Sequence, residues 1–462
     1  MKFFIECTNT YRTHHNSGIQ RVVRSLVKSA FASDESAVCV PVIYSKRKFV
    51  GIKALIPFPV EPKAGTSAAV VEPVYSFART MFHRTTAMIT RVLPFEPVIR
   101  FVYAPRTRFG LAMMIFLPIQ IFRFARGKRA QDEFNTVSMQ AGDVLILLDS
   151  SWNTDFWPSV EAARRRGIKI AVVIYDLIPL LHPQFCLPAT VAAYRSWLEQ
   201  ALSRADMLIA ISRTTALTIQ NELSKFFPSY RLPCISYFWL GSELDGETVG
   251  NTPISPGLVE ICSSDVPTYL YVSTIEPRKN HRYSLAAFEE LWAMGVHANY
   301  MIVGRAGWDC EEFLSEVQGH REFGKQLFFQ SSVDDRELAF LYKNAAGLIF
   351  TSFTEGFGLP VIEGLQRRLP VFASDIPVFR EIGRAGVQFV DLASPISLAL
   401  ALATHIENGT PKASAGTRWL TWSNSLSLLK NRIQECSLQP ETAYGKVVQS
   451  IIPDLVTDEQ VA

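Results

Sequence analysis

The chain has 462 residues, 48% of them hydrophobic and 19% charged, a length and greasiness that exclude global disorder and exceed one ordinary core. Its net charge of +3 is unevenly spread: residues 79–129 hold ten Arg or Lys against one acid, Glu96, a local +9 that leaves the remainder at about −6, so the basic character is local and a generally basic chain is excluded. Seven scattered cysteines, odd in number and without a CxxC pair or a histidine cluster, argue against a disulfide framework and a Cys/His metal site.

Residues 2–7 read as a strand, followed by a polar loop through Asn16, Ser17 and Gly18 and a helix over 19–30. Ile19, Val22, Val23, Leu26 and Val27 fall on one face of that helix, the pattern of a helix laid on a sheet. Glu6 interrupts the opening apolar residues, which leaves no secretory hydrophobic region and predicts an intracellular protein. Short aliphatic runs at 38–44, 143–149, 169–175 and 207–212 read as buried parallel strands, with a helix over 189–205 between two of them. No apolar run reaches the roughly 18 to 20 residues that span a bilayer; residues 110–122 come nearest. Residues 1–242 therefore form one Rossmann-like domain, interrupted by a basic and apolar insertion at about 60–135.

Gly, Pro, Ser, Thr and acids without periodicity mark 243–266 as a linker. A second Rossmann-like domain over 267–412 repeats the alternation, with strands at 268–274, 299–304, 326–330, 347–352 and 370–374 and helices at 282–294, 336–344 and 360–368. Residues 413–437 close the chain with a packed helix carrying Trp419, Trp422, Leu426, Leu429 and Ile433, and 438–462 read as a loose tail. The whole is an α/β chain of two doubly wound domains with a cleft between them.

The chemistry concentrates in loops after strands. In TSFTEGFGLPVIEGLQRR, residues 351–368, Gly356 and Gly358 let the backbone turn tightly and approach a ligand, and Pro360 suits the first turn of a helix. The free N–H groups there, at the positive end of the helix dipole, suit a diphosphate. Glu355 and Glu363 flank that anion site, which two carboxylates tolerate only if they address neutral hydroxyls; a sugar–diphosphate–ribose ligand satisfies all three demands. EGFG alone is equally an ordinary turn beside solvated glutamates. In YVSTIEPRKN, residues 271–280, Arg278 and Lys279 are either a surface pair at a helix start or cations aimed at that anion. The acids of SSVDDREL, residues 331–338, read as a helix capping box of Asp334 with Glu337 rather than as metal ligands.

Glu355-x7-Glu363 around GFGLP resembles the signature of retaining glycosyltransferases of the family 4, or glycosyl transferases group 1, type, which includes bacterial polysaccharide mannosyltransferases and sucrose synthase. That resemblance implies a GT-B fold, two Rossmann-like domains facing each other across a cleft. It implies that Glu355 contacts the donor sugar, the backbone of Gly356, Phe357, Gly358 and Leu359 contacts sugar and phosphate, and Glu363 holds the ribose. Lys279 matches the lysine that neutralises the leaving diphosphate, and Glu355 with Lys279 would carry catalysis. Thr274 stands where many members have arginine, and Arg278 is the candidate to replace it. The backbone around Val333 corresponds to the base site. NSGIQRVVRSL, residues 16–26, resembles the glycine loop near diphosphate and acceptor, which brings in Gly18 and Arg21. IYDLIPLLHP, residues 174–183, resembles the family's His-Asp-Leu segment, with Tyr175 in place of His, Asp176 retained and His182 six residues on; a lone His beside Pro183 also fits a structural role. His14 and His15 are further candidates.

The resemblance implies a hexosyltransferase with a nucleotide-sugar donor, GDP-mannose first and other GDP- or UDP-sugars next, no cofactor and no metal. A lipid-linked glycan in surface polysaccharide synthesis is the expected acceptor. FGLAMMIFLPIQIFRFARGKR, residues 109–129, fits either a helix in an anionic lipid interface or an internal helix with a basic end. The first places the protein in the cytoplasm, peripheral on the inner face of the plasma membrane, through residues 79–129. No nucleic-acid-binding module is recognisable. A non-catalytic membrane scaffold with the same fold and a sugar-nucleotide epimerase are the competing readings.

Overall fold

The computed structural model describes residues 1–13, 18–32, 38–55, 135–243, 253–383, 386–412, 419–440 and 444–448. The expectations for His14, His15, Asn16, Ser17, the membrane segment 79–129 and nearly all of the insertion lie outside these residues. Both lobes described below belong to one compact unit, residues 1–55 and 136–462.

The first lobe runs β1 Phe3–Glu6, α1 Thr8–Arg12, α2 Gly18–Ala32, β2 Cys39–Ser45, β3 Lys48–Gly51, β4 Asn135–Thr136, β5 Val144–Leu147, α3 Trp157–Arg165, β6 Lys169–Ile174, α4 Ile178–Leu181, α5 Pro188–Leu202, β7 Met207–Ala210, α6 Arg213–Phe226 and β8 Cys234–Tyr237. Its sheet has the order β4-β3-β2-β1-β5-β6-β7-β8. β1, β5, β7 and β8 are buried along their whole length, as strands covered on both faces must be. β1 lies parallel between β2 and β5, with Phe3 opposite both Cys39 and Val144. The strand β3 has no clear signature in the sequence. It turns back antiparallel on β2 through Lys46 and Arg47, which take φ of 48° and 63° in a hairpin turn that usually advertises itself with Asn or Gly.

The second lobe runs α7 Pro256–Ser263, β9 Thr268–Val272, α8 His281–Ala293, β10 Asn299–Val303, α9 Glu311–Gly319, β11 Leu327–Gln330, α10 Asp335–Asn344, β12 Gly347–Phe350, α11 Leu359–Gln366, β13 Val371–Ser374, α12 Pro377–Gly383, β14 Val387–Val390 and α13 Ile396–Glu407. Its six strands, in the order β11-β10-β9-β12-β13-β14, are all parallel. The strand order reverses between β9 and β12, so the loops leaving these neighbours diverge and open a crevice at their carboxyl ends. The same reversal falls between β1 and β5 in the first lobe.

The last helix, α14 Trp422–Leu438, returns to the first lobe and packs on α2, β7 and β8. Trp419 stacks on Trp239 at 5.1 Å, and the Glu243 carboxylate accepts the Trp422 N–H at 2.6 Å. Two sequence expectations change here. The presumed linker contains α7, and within the presumed loose tail Gly445 and Val448 donate backbone hydrogen bonds to Pro233 and Ile235, which lays 444–448 along β8. Among the described residues no helix is long and apolar enough to cross a membrane.

Candidate active site

The crevice between β9 and β12 is filled by two loops that grip each other. After β9 the chain makes one 3-10 turn at Pro277–Lys279 and leaves it through Asn280 at φ 57°. The Tyr271 hydroxyl donates to the Lys279 carbonyl, and Phe353 N–H, from the loop after β12, donates to the Arg278 carbonyl at 3.0 Å. The side chains of Lys279 and Arg278 are thereby turned inward, which rules out the surface-pair reading. Lys279 Nζ stands 2.5 Å from Glu355 Oε1 and 4.9 Å from the Phe350 ring centre. Arg278 Nη1 stands 2.7 Å from Glu355 Oε2 and donates to the Thr354 carbonyl at 2.8 Å; its Nη2 reaches Glu276 at 2.7 Å. Arg278, rather than the residue at position 274, is the second cation beside Glu355.

The charges decide how this cluster behaves. Burial opposes ionisation of Glu355, yet Arg278 and Lys279 together hold its carboxyl down at about 2, so it is an anion at any physiological pH. Lys279 is pushed the other way: burial and the neighbouring Arg278 lower its proton affinity, and Glu355 only partly restores it. An added phosphoryl group beside Lys279 would favour its charged form further. From the first lobe Asp176 faces the same cluster. Its carboxyl is raised by burial, against the pull of Arg278, and it accepts the Ile178 N–H at 2.9 Å.

Gly356 does something the sequence did not reveal. A Cβ there would lie 2.1 Å from the Tyr175 carbonyl oxygen, and the Gly356 carbonyl accepts hydrogen bonds from Ser212 Oγ at 2.8 Å and Thr215 Oγ1 at 3.2 Å. The close approach is thus between lobe and lobe. Tyr175 itself donates its hydroxyl to the Leu148 carbonyl at 2.9 Å, and burial raises its pKa well above the ordinary value, so it does not stand in for an imidazole base. Gly358 sits at φ 114° as the N-cap of α11, a conformation that only glycine adopts easily. Phe357 and Leu359 are buried, Phe357 against Trp419, which leaves backbone as what this turn can offer a ligand.

One turn into α11, Glu363 is fully buried. Its Oε2 accepts the Tyr342 hydroxyl at 2.9 Å, and its Oε1 lies 2.6 Å from Nη1 of Arg21, which reaches across from α2. Asp335, at the start of α10, adds to the negative field on Arg21. Asp334 and Glu337 form the expected capping box there. Val333, just before it, is partly buried against the apolar core. Gly18 begins α2 with no protein atom within 4 Å of an added Cβ, so packing does not require glycine there. His182 lies 6.1 Å ring to ring from Phe185, which stacks on Phe353 of the other lobe at 5.4 Å.

Glu276, Tyr342, Ser212, Thr215 and Glu381 escaped sequence reasoning. Glu381, on α12, accepts the Arg213 and Thr214 N–H groups at 2.8 and 2.7 Å and so caps α6 of the opposite lobe; it also accepts Trp239 Nε1–H at 2.7 Å. Tyr342 and Glu381 have no local signature, because their partners are more than twenty residues away or on the other lobe. Glu276 pairs with Arg278 two residues on and Ser212 caps α6 with Thr215, but the contacts of Ser212 and Thr215 with the site reach across to the Gly356 loop. Among the described residues no group of three or more His, Cys, Asp or Glu stands ready to hold a metal ion.

Residues 262–417 match the family described as glycosyl transferases group 1. The serotype-specific mannosyltransferase WbdA of Escherichia coli is 31% identical over 339 residues, which cover 70% of this chain and 41% of that protein. The O-antigen chain mannosyltransferase RfbU of Salmonella typhimurium is 32% identical over 123 residues, 27% of this chain and 34% of the relative. The chain thus spans less than half the length of WbdA. Among solved structures, Anabaena HepE in complex with UDP and glucose superposes with a TM-score of 0.52 at 12% identity, covering 94% of this chain and 95% of that one. Trehalose-6-phosphate synthase OtsA gives 0.52 at 14% identity, covering 95% and 100%. At these identities the likeness concerns the fold, the GT-B pairing of two Rossmann-like lobes.

Proposed function

Because the second lobe belongs to the glycosyl transferases group 1 family, we propose that the chain is a retaining glycosyltransferase that moves mannose from GDP-mannose to a lipid-linked glycan in surface polysaccharide synthesis. The observation that carries this reading is the Glu355 carboxylate held between Arg278 and Lys279 at the switch-point crevice, with the first turn of α11 beside it. The free amides of that turn and the Lys279 ammonium suit the diphosphate, and the ionised Glu355 suits hydroxyls of the donor sugar. Glu363, fixed by Tyr342 and Arg21 one turn into α11, is the carboxylate assigned to the ribose. The relatives named above as mannosyltransferases support the choice of mannose.

In the proposed reaction the bond from the sugar carbon to the leaving phosphate oxygen breaks as the acceptor hydroxyl attacks from the same face. The departing phosphate oxygen takes the hydroxyl proton, and Lys279 and the α11 amides stabilise the charge that develops on the diphosphate. The inter-lobe contacts of Gly356, Glu381 and Arg21 hold the cleft shut, which keeps water from the sugar carbon. The basic composition of residues 79–129 supports a peripheral position on the anionic inner face of the plasma membrane.

The test is a screen of GDP- and UDP-sugars with a mannose-terminated acceptor, with the anomeric configuration of the product read by NMR. Transfer from GDP-mannose with retention is expected, and Lys279→Ala should lower it about a hundredfold to a thousandfold. Inversion refutes the retaining mechanism, transfer from another donor alone refutes GDP-mannose, a free altered sugar nucleotide without transfer indicates an epimerase, and no turnover with any donor indicates a scaffold.

A further inference from the structure

The first lobe carries a groove of about 910 Å³ between the loop after β5, α3 and α5, away from the Glu355 cluster. Half-buried Trp152 offers a ring, and Asn153, Asp155, Ser196 and Gln200 surround it with hydrogen-bonding groups. The other charged groups largely neutralise one another: Glu161 lies 3.2 Å from Arg165 and 3.7 Å from Arg204. Arg204 also donates to the Gln200 side chain at 2.9 Å and stands over the Trp157 ring at 5.6 Å. An indole face ringed by amides, hydroxyls and one carboxylate, with the guanidinium groups paired to a carboxylate, suits an uncharged ligand that alternates C–H faces with hydroxyls. A chain of neutral pyranoses has that character, and a polyphosphate does not.

Trp152 is tied to the cleft. Tyr194 meets it edge-on at 5.1 Å, and the same tyrosine donates its hydroxyl to the Asp176 backbone carbonyl at 2.6 Å. One side chain therefore touches the groove wall and the strand-end loop that faces Arg278. We propose that this groove is a second glycan-binding site, which holds the already built part of a neutral acceptor chain while its end occupies the cleft. The proposal rests on the transferase reading above.

The test compares wild type, Trp152→Ala and Ser196→Trp with α-linked manno-oligosaccharides of two and of eight residues. Ser196 is exposed on α5, so its replacement fills the groove without touching the core. Both variants should raise KM for the octasaccharide about tenfold, the loss expected for one aromatic contact, and leave kcat and the disaccharide KM unchanged. Variants that use the octasaccharide like wild type, or that lose the disaccharide equally, overturn the groove while the transferase reading stands. If wild type transfers to neither acceptor, that reading fails on its own. Direct titration of the octasaccharide then decides the groove: binding lost in Ser196→Trp supports it, and no binding or equal binding overturns it.

Discussion

Replacing Glu355 with Gln removes the anion that Arg278 and Lys279 share. Folding moves this carboxyl from its usual 4.5 to about 2, since the two cations outweigh the burial that opposes ionisation. A shift of that size corresponds to roughly 3 kcal/mol of folding free energy. The folded value lies below the unfolded one, so the stabilisation is complete above about pH 4.5 and is lost as the pH falls toward 2. The Gln variant has no such ionisation. Urea unfolding followed by circular dichroism should therefore give a wild-type advantage of roughly 3 kcal/mol at pH 7 that shrinks steadily between pH 4.5 and 2. An advantage below about 1 kcal/mol at pH 7, or one that ignores pH, would refute the clamp.

Glu6 should behave with the opposite sign. Burial, aided by the charge of Asp149, raises its carboxyl to about 7 while Thr8 N–H and Ser151 Oγ–H bind it, so its ionisation costs stability between pH 4.5 and 7. Glu6→Gln should gain up to roughly 3 kcal/mol over wild type across that window and little below it, measured by the same unfolding assay. Gly356→Ala places a methyl 2.1 Å from the Tyr175 carbonyl oxygen and should force the lobes apart at a cost of about 1 to 3 kcal/mol. A larger radius of gyration in small-angle scattering with unchanged helix content is the expected sign, and an unchanged radius with wild-type stability counts against the docking role. Arg21→Met strips the buried Glu363 of its cation and should cost roughly 3 to 5 kcal/mol, with much of it regained in Arg21→Met/Glu363→Gln. Additive losses in that double-mutant cycle would show the pair uncoupled.

The parts of this protein that could be read from the sequence are those with local signatures. Gly358 and Pro360 announce a turn into a helix, the interval between Glu355 and Glu363 carries the family resemblance, and Asp334 with Glu337 spells out a cap that the structure contains. The ends of β5 are less legible, because Asp143 and Asp149 flank the strand in sequence while their carboxylates tie down other segments: Asp143 accepts Lys2 N–H and Asp149 accepts Thr10 N–H. Pairings over long separations left no trace. Nothing near Gly356 in the chain says that it must clear Tyr175, and nothing near Glu363 names Arg21 as its partner. The antiparallel strand β3 was hidden for a different reason, since its turn uses Lys46 and Arg47 in a conformation that usually requires glycine or asparagine.

Calorimetric titration of GDP into the wild-type chain and into Lys279→Met bears most directly on the diphosphate site. Saturable binding to wild type that weakens about tenfold or more in the variant, and that falls with added salt, is predicted from a buried ammonium beside the α11 amides. Equal affinity in both proteins, or no binding to either, contradicts the placement of the diphosphate in this crevice.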